Sequence, residues 1–134
     1  CGPITHTPDD NLLAGPAPGL INFWMLCAAS VGIAQGGGVG KYLAQWIVYG
    51  DSEINMLEFE PRRYMSWVTK KYAIEKSTDQ YRRMYVTPMP NESIDVGRPN
   101  KTTPIYKKLK DMGAMYLDSY GWEKPTWFAK PGMK

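Results

Sequence analysis

The chain has 134 residues, 43% of them hydrophobic, which is enough for one ordinary domain and unlike the composition of a disordered segment. Its 16 basic and 13 acidic residues leave a net charge of +3, too small and too scattered to suggest a nucleic-acid or membrane surface. Two cysteines, Cys1 and Cys27, speak against a disulfide framework and for a reducing compartment.

The opening segment, from Gly2-Pro3-Ile4-Thr5-His6-Thr7-Pro8-Asp9-Asp10-Asn11 to Gly19, is rich in proline and glycine and reads as turns, with a short strand at Leu12 and Leu13. The most apolar stretch follows, from Leu20 to Ala34. A membrane span needs about 20 consecutive apolar residues, and Asn22 and Ser30 interrupt this one. A buried strand at Asn22 to Ala28 fits better. The chain starts at Cys1, and this inner-strand pattern arrives before any partner strand. The reading is therefore an internal piece of a longer protein, poorly stable alone because its strand edges would be unpaired.

Next come Gly36-Gly37-Gly38-Val39-Gly40 and then Lys41 to Tyr49. Val39, Tyr42, Leu43, Trp46 and Ile47 share one helical face, and Gly50 can close the helix. The expected unit is strand, glycine-rich turn, helix. Tyr64 to Tyr85 has neither proline nor glycine and predicts one or two amphipathic helices. Residues 86 to 104 look like a surface connector and a domain boundary. A short helix is then expected with Thr103 as N-cap, Pro104 as first residue, an inner face of Ile105, Leu109 and Met112, and a stop at Gly113. The tail from Ala114 to Phe128 is aromatic and partly extended, suited to core or interdomain packing.

A strand leading through glycines into a helix gathers backbone N–H groups and the positive end of a helix dipole at one place. The specific phosphate motifs fail, however. A P-loop would need glycine at Gln35 and Ser or Thr at Tyr42, and a dinucleotide fingerprint begun at Gly36 fails at Lys41. The glycines then serve either a ligand or close packing of the helix on the strand. Lys41, in the first turn, reads as an exposed lysine. His6, the single histidine, precludes a multi-histidine metal site or an obvious nucleophile triad and defaults to a surface or turn role. Asp9 and Asp10 follow Pro8, where carboxylates commonly bond turn amides. No catalytic or metal-ligating residue is assigned.

Five segments occur in one order: Gly2 to Asp9, Gly36 to Ile47, Arg62-Arg63-Tyr64, Gly97-Arg98-Pro99 and Gly121 to Phe128. Together they resemble the dimethylglycine and sarcosine dehydrogenases over nearly the whole chain. The resemblance implies an α+β fragment holding the terminal strand-turn-helix of a glycine-oxidase-type FAD domain (residues 1–50). A central helical linker (51–102) and the start of a folate-binding aminomethyltransferase-like domain (103–134) would follow. It further implies a parent enzyme that oxidatively demethylates dimethylglycine or sarcosine with FAD and passes one carbon to tetrahydrofolate, in the mitochondrial matrix of a eukaryote or the cytoplasm of a bacterium. Its partners would be an N-methylglycine substrate and an electron-transfer flavoprotein, with no nucleic acid or membrane. In such a family the segment matching Ala29, Ser30, Val31, Gly32, Ile33 and Ala34 lies against the flavin. The glycine-rich helix start, with Gly37, Gly38 and Gly40, faces the pyrimidine edge, where donors stabilise the charge of the reduced ring. Relatives carry an aromatic or asparagine and an extra glycine where this chain has Cys27-Ala28-Ala29-Ser30-Val31, which leaves the substrate open. Two rivals remain at this stage: a non-catalytic homologue resembling the pyruvate dehydrogenase phosphatase regulatory subunit, and a small interaction module using the aromatic helices at 64 to 85.

Overall fold

Leu12 is wholly buried, and around it Ala14, Val39, Leu43 and Met56 close a small core packed by Trp24, Tyr42, Trp46 and Phe59. These residues belong to the first of two compact units, Cys1–Met84 and Tyr85–Lys134. The computed structural model describes residues 2–27, 30, 32–90, 92–130 and 132.

In the first unit, strand β1 (Leu13–Pro16) pairs antiparallel with β2 (Trp24–Cys27), Leu13 opposite Cys27 and Pro16 opposite Trp24. Helix α1 (Gly32–Tyr49) packs on β1 through Val39 and Leu43. Apolar residues at i, i+3, i+4 and i+7 form the inner stripe, as the sequence spacing predicts. The stripe ends early, because Ile47 is 48% exposed. Gly50, at φ 82°, donates its N–H to the Trp46 carbonyl at 3.0 Å and closes the helix in the left-handed region. Trp24 meets Trp46 edge to face at 5.7 Å, a favoured aromatic geometry. Gly15 sits where a Cβ would lie 3.1 Å from the Trp46 ring, so β1 can approach α1 only without a side chain there.

Two sequence expectations change here. The apolar run forms not a buried inner strand over Asn22 to Ala28 but a four-residue strand in a hairpin with β1, and Leu26 on it is 48% exposed. The glycine-rich turn is a helix. α1 already begins at Gly32, so Gly36, Gly37, Gly38 and Gly40 lie inside it, and none has a positive φ. Each glycine costs a helix about 1 kcal/mol relative to alanine. The packing of Val39, Tyr42, Leu43 and Trp46 one turn later outweighs that cost.

Beyond α1, a 3-10 turn (Pro61–Arg63) leads to helix α2 (Lys70–Arg83), whose N-cap Thr69 accepts the Tyr72 N–H at 3.1 Å. The 3-10 turn anchors the unit. Arg63, with 5% of its side chain exposed, donates from Nε to Asp9 Oδ2 at 2.8 Å, and from Nη2 to Asp9 Oδ1 at 3.0 Å and the Asn11 carbonyl at 2.7 Å. The Asp9 N–H reaches the Tyr64 hydroxyl at 3.1 Å. Burial alone would raise the Asp9 carboxyl. The hydrogen bonds from Arg63 and Tyr64, the guanidinium charge and the Asn11 N–H outweigh it and hold the group below its ordinary 3.8. Burial, with the Asp9 carboxylate beside it, pushes the Tyr64 phenol up.

The second unit is built on helix α3 (Tyr106–Asp111) and a hairpin of β3 (Ala114–Ser119) and β4 (Trp122–Phe128). Thr103 is not a side-chain cap. Its carbonyl accepts the Tyr106 N–H at 3.0 Å, and the helix starts at Tyr106. The expected inner face is also absent, with Ile105 and Met112 mostly exposed; Tyr106 instead stacks on Tyr116 at 4.7 Å. Tyr120 and Gly121 both have positive φ, the requirement of a two-residue hairpin turn of type I′. The Asp118 carboxylate accepts the Gly121 N–H at 2.8 Å. The tail aromatics are no sealed core: Trp122, Trp127 and Phe128 are about half exposed. Arg98 clamps the hairpin to the preceding connector, donating from Nε to Glu123 Oε1 at 3.0 Å and from Nη2 to Oε2 at 2.6 Å, with Glu123 4% exposed.

Gly113 has φ 90°, and a Cβ there would stand 2.6 Å from the Ala129 carbonyl oxygen. Gly113→Ala is therefore expected to destabilise the hairpin by about 2 kcal/mol or more, read as faster hydrogen exchange of the β3 and β4 amides; unchanged exchange would contradict this packing. The Asp9–Arg63 pair sets an acid sensitivity. Because the folded Asp9 value lies below the unfolded one, its stabilisation is complete above about pH 4 and lost as pH falls through the depressed value. Asp9→Asn should lower stability at neutral pH and flatten its decline below about pH 4, as followed by tryptophan fluorescence during acid titration.

Candidate functional site

The start of α1 forms one side of an open surface pocket of about 630 Å³. Ser30, Gly32, Ile33 and Ala34 line that side, and Pro3, Ile4 and Thr5 complete the lining. The first N–H groups of a helix have no acceptor within it, so this side combines small apolar side chains with backbone donors and a positive dipole end. Among the described residues no titratable side chain lines the pocket. Such a lining suits the edge of a flat, neutral ring carrying carbonyl oxygens better than it suits a multiply charged group.

Four of the nine sequence candidates thus meet in one place. Ser30 donates from Oγ to Asp10 Oδ1 at 2.8 Å, and Ile33 projects fully into solvent. Gly37, Gly38 and Gly40 lie one to two turns further along α1, outside the cavity lining. Ala29 and Val31 lie outside the described residues. The glycines within the helix do not serve close packing, since a Cβ added at Gly36, Gly37, Gly38 or Gly40 meets nothing within 4 Å. They keep one side of α1 bare.

Lys41 is the tenth residue of α1 rather than part of its first turn, and it pairs with Glu53 at 3.5 Å in the open. An exposed pair of this kind contributes little. His6 is not a surface residue. Its side chain is 11% exposed, its Nδ1 lies 3.3 Å from Asp10 Oδ1, and its ring meets Tyr81 edge-on at 5.1 Å. Sequence reasoning missed Pro3 to Thr5 as part of the lining, and missed Asp10 as the group that Ser30 bonds. The only signal was a second aspartate after Pro8, in a turn where one would have sufficed. Among the described residues no three His, Cys, Asp or Glu side chains converge on a possible metal position, and no helix is long and apolar enough to cross a membrane.

Residues 49–103 match the model of the FAD dependent oxidoreductase central domain. The mouse dimethylglycine dehydrogenase, a mitochondrial protein, is 38% identical over 98% of this chain and 15% of its own length. Mouse mitochondrial sarcosine dehydrogenase is 35% identical over 96% of the chain and 14% of its own length. The mouse pyruvate dehydrogenase phosphatase regulatory subunit is 31% identical over 96% of the chain and 15% of its own length. The chain thus spans about 15% of the length of the curated relatives it matches. Along nearly its whole length the chain is a homologue of one segment of the dimethylglycine and sarcosine dehydrogenases, and it belongs with these FAD-dependent oxidoreductases.

Proposed function

We propose that this chain works as part of a longer FAD-dependent dehydrogenase that oxidatively demethylates dimethylglycine or sarcosine, with the carbon passed to tetrahydrofolate. The observation that carries the reading is the pocket that Ser30, Gly32, Ile33 and Ala34 line with Pro3 to Thr5 at the amino end of α1. When bound, FAD would accept the two electrons and the hydrogen removed from the N-methyl group. The residues of this chain would supply the wall against which the ring edge rests. The α1 N–H groups would favour the charge that builds on the ring carbonyl when it is reduced. Bare glycines along α1 leave room for a neighbouring part of the protein or the ligand to approach the backbone. In this reading the electrons pass on to an electron-transfer flavoprotein, in the mitochondrial matrix if the source is eukaryotic and in the cytoplasm if it is bacterial.

A second reading rests on the 31% identity to the phosphatase regulatory subunit: a protein of the same architecture without catalysis. Anaerobic mixing separates the two. The full-length gene product, purified with its flavin, is expected to lose its visible flavin band on addition of dimethylglycine or sarcosine, and to release less formaldehyde when tetrahydrofolate is present. A flavin that stays oxidised with both amines would sink the enzyme reading and favour the regulatory one.

A further inference from the structure

Asp10 lies in the left-handed region at φ 63°, which few residues other than glycine adopt. Such a conformation persists only where the surroundings over-determine it, and here they do. The Asp10 N–H bonds to the Thr7 carbonyl at 3.2 Å, and the single Thr7 hydroxyl proton lies between the Asn11 carbonyl, 2.6 Å from Oγ1, and Asp9 Oδ1, 3.1 Å from it. The buried Arg63 grips Asp9 and the Asn11 carbonyl on either side. The turn therefore projects the Asp10 carboxylate from a fixed base.

One oxygen of that carboxylate serves two groups, one four residues before it and one twenty residues after it. Oδ1 accepts from Ser30 Oγ at 2.8 Å, just before α1, and lies 3.3 Å from His6 Nδ1, next to Thr5. A carboxylate at Nδ1 places the imidazole proton on that nitrogen. The His6 ring is held further by its edge contact with Tyr81, and its carbonyl accepts from Ser77 Oγ at 3.4 Å. Ser30 belongs to the pocket lining, and His6 directly follows Thr5, which also lines it.

We propose that Asp10 is a positioning residue for the flavin site: by holding Ser30 and His6 on one carboxylate oxygen, it fixes the amino-terminal segment against the start of α1. This rests on the reading of that cavity as a flavin wall. Asp10 touches no ligand itself; it acts through Ser30 and through the segment that ends at His6. Without that carboxylate the amino-terminal segment would be free to shift relative to the start of α1.

The test uses the full-length gene product, stripped of flavin and titrated with FAD. Asp10→Ala is expected to weaken FAD binding about tenfold and to shift the visible flavin band. Ser30→Ala should move both readouts the same way by less, and the double variant should be no weaker than Asp10→Ala, because the two act through one contact. Asp10→Asn keeps an oxygen acceptor and should restore most of the affinity. Ala34→Phe, which fills the cavity without touching Asp10, is the reference for the site itself. If Asp10→Ala binds FAD as the native protein does while Ala34→Phe does not, the positioning role is overturned and the flavin-site reading stands. Additive effects of Asp10→Ala and Ser30→Ala, or a loss that Asp10→Asn fails to restore together with a lower apoprotein melting temperature, would reduce Asp10 to plain structural support and also overturn it. If Ala34→Phe leaves both affinity and spectrum unchanged, the flavin-site reading falls and the inference falls with it.

Discussion

Arg63 has only 5% of its side chain exposed, and it directs its guanidinium at one turn, residues 9 to 11, from more than 50 residues further along the chain. A buried guanidinium is tolerated only when its donors are answered, and the fork of arginine matches the two oxygens of Asp9 as a lysine would not. Removing either partner leaves the other as a buried, uncompensated charge. The amino-terminal segment, which has no sheet ladder of its own before β1, takes its shape from this pair. The left-handed Asp10, the Ser30 contact and the cavity at the start of α1 all follow from it.

The same device recurs in the second unit. Arg98 holds Glu123 in a bidentate pair, tying the proline-rich connector to the β3–β4 hairpin. Glu123 is nearly sealed from solvent, and Arg98 is held further toward its charged form, first by the Glu123 hydrogen bond. Four of the five segments that mark the family resemblance are therefore joined in physical pairs: Gly2 to Asp9 with Arg62 to Tyr64, and Gly97 to Pro99 with Gly121 to Phe128.

Much of the first unit was legible because packing and local pattern agree there. The stripe of Val39, Tyr42, Leu43 and Trp46 has one helical solution, and Gly50 ends it in the conformation its position suggests. The start of α1 was not legible. Five glycines between Gly32 and Gly40 read as a turn because glycine propensity is a local quantity, whereas the helix is held from its far end by tertiary packing. Thr103 failed as a cap for a related reason: a six-residue helix takes its position from the Tyr106–Tyr116 contact and the hairpin, not from its own first residue. The hairpin turn carried a signal in Gly121, but the positive φ of Tyr120 depends on the Asp118 carboxylate receiving the Gly121 N–H, which no propensity reports.

For the candidate site, the sequence pattern singled out Ser30 to Ala34 and passed over Pro3 to Thr5. The first stretch stands out as apolar, small and next to a helix, while Pro3 to Thr5 look like ordinary coil, and the Asp9–Arg63 clamp and the Ser30–Asp10 contact that hold their segment depend on residues far apart in the chain. The central claim is that these two stretches receive the flavin ring edge. Hydrogen–deuterium exchange of the full-length gene product with and without FAD tests it most directly. Slower exchange on FAD binding is expected at the amides of residues 32 to 35 and of Ile4 and Thr5, with α2 and the β3–β4 hairpin unchanged; protection elsewhere in the protein with none at these amides would contradict a flavin at this place.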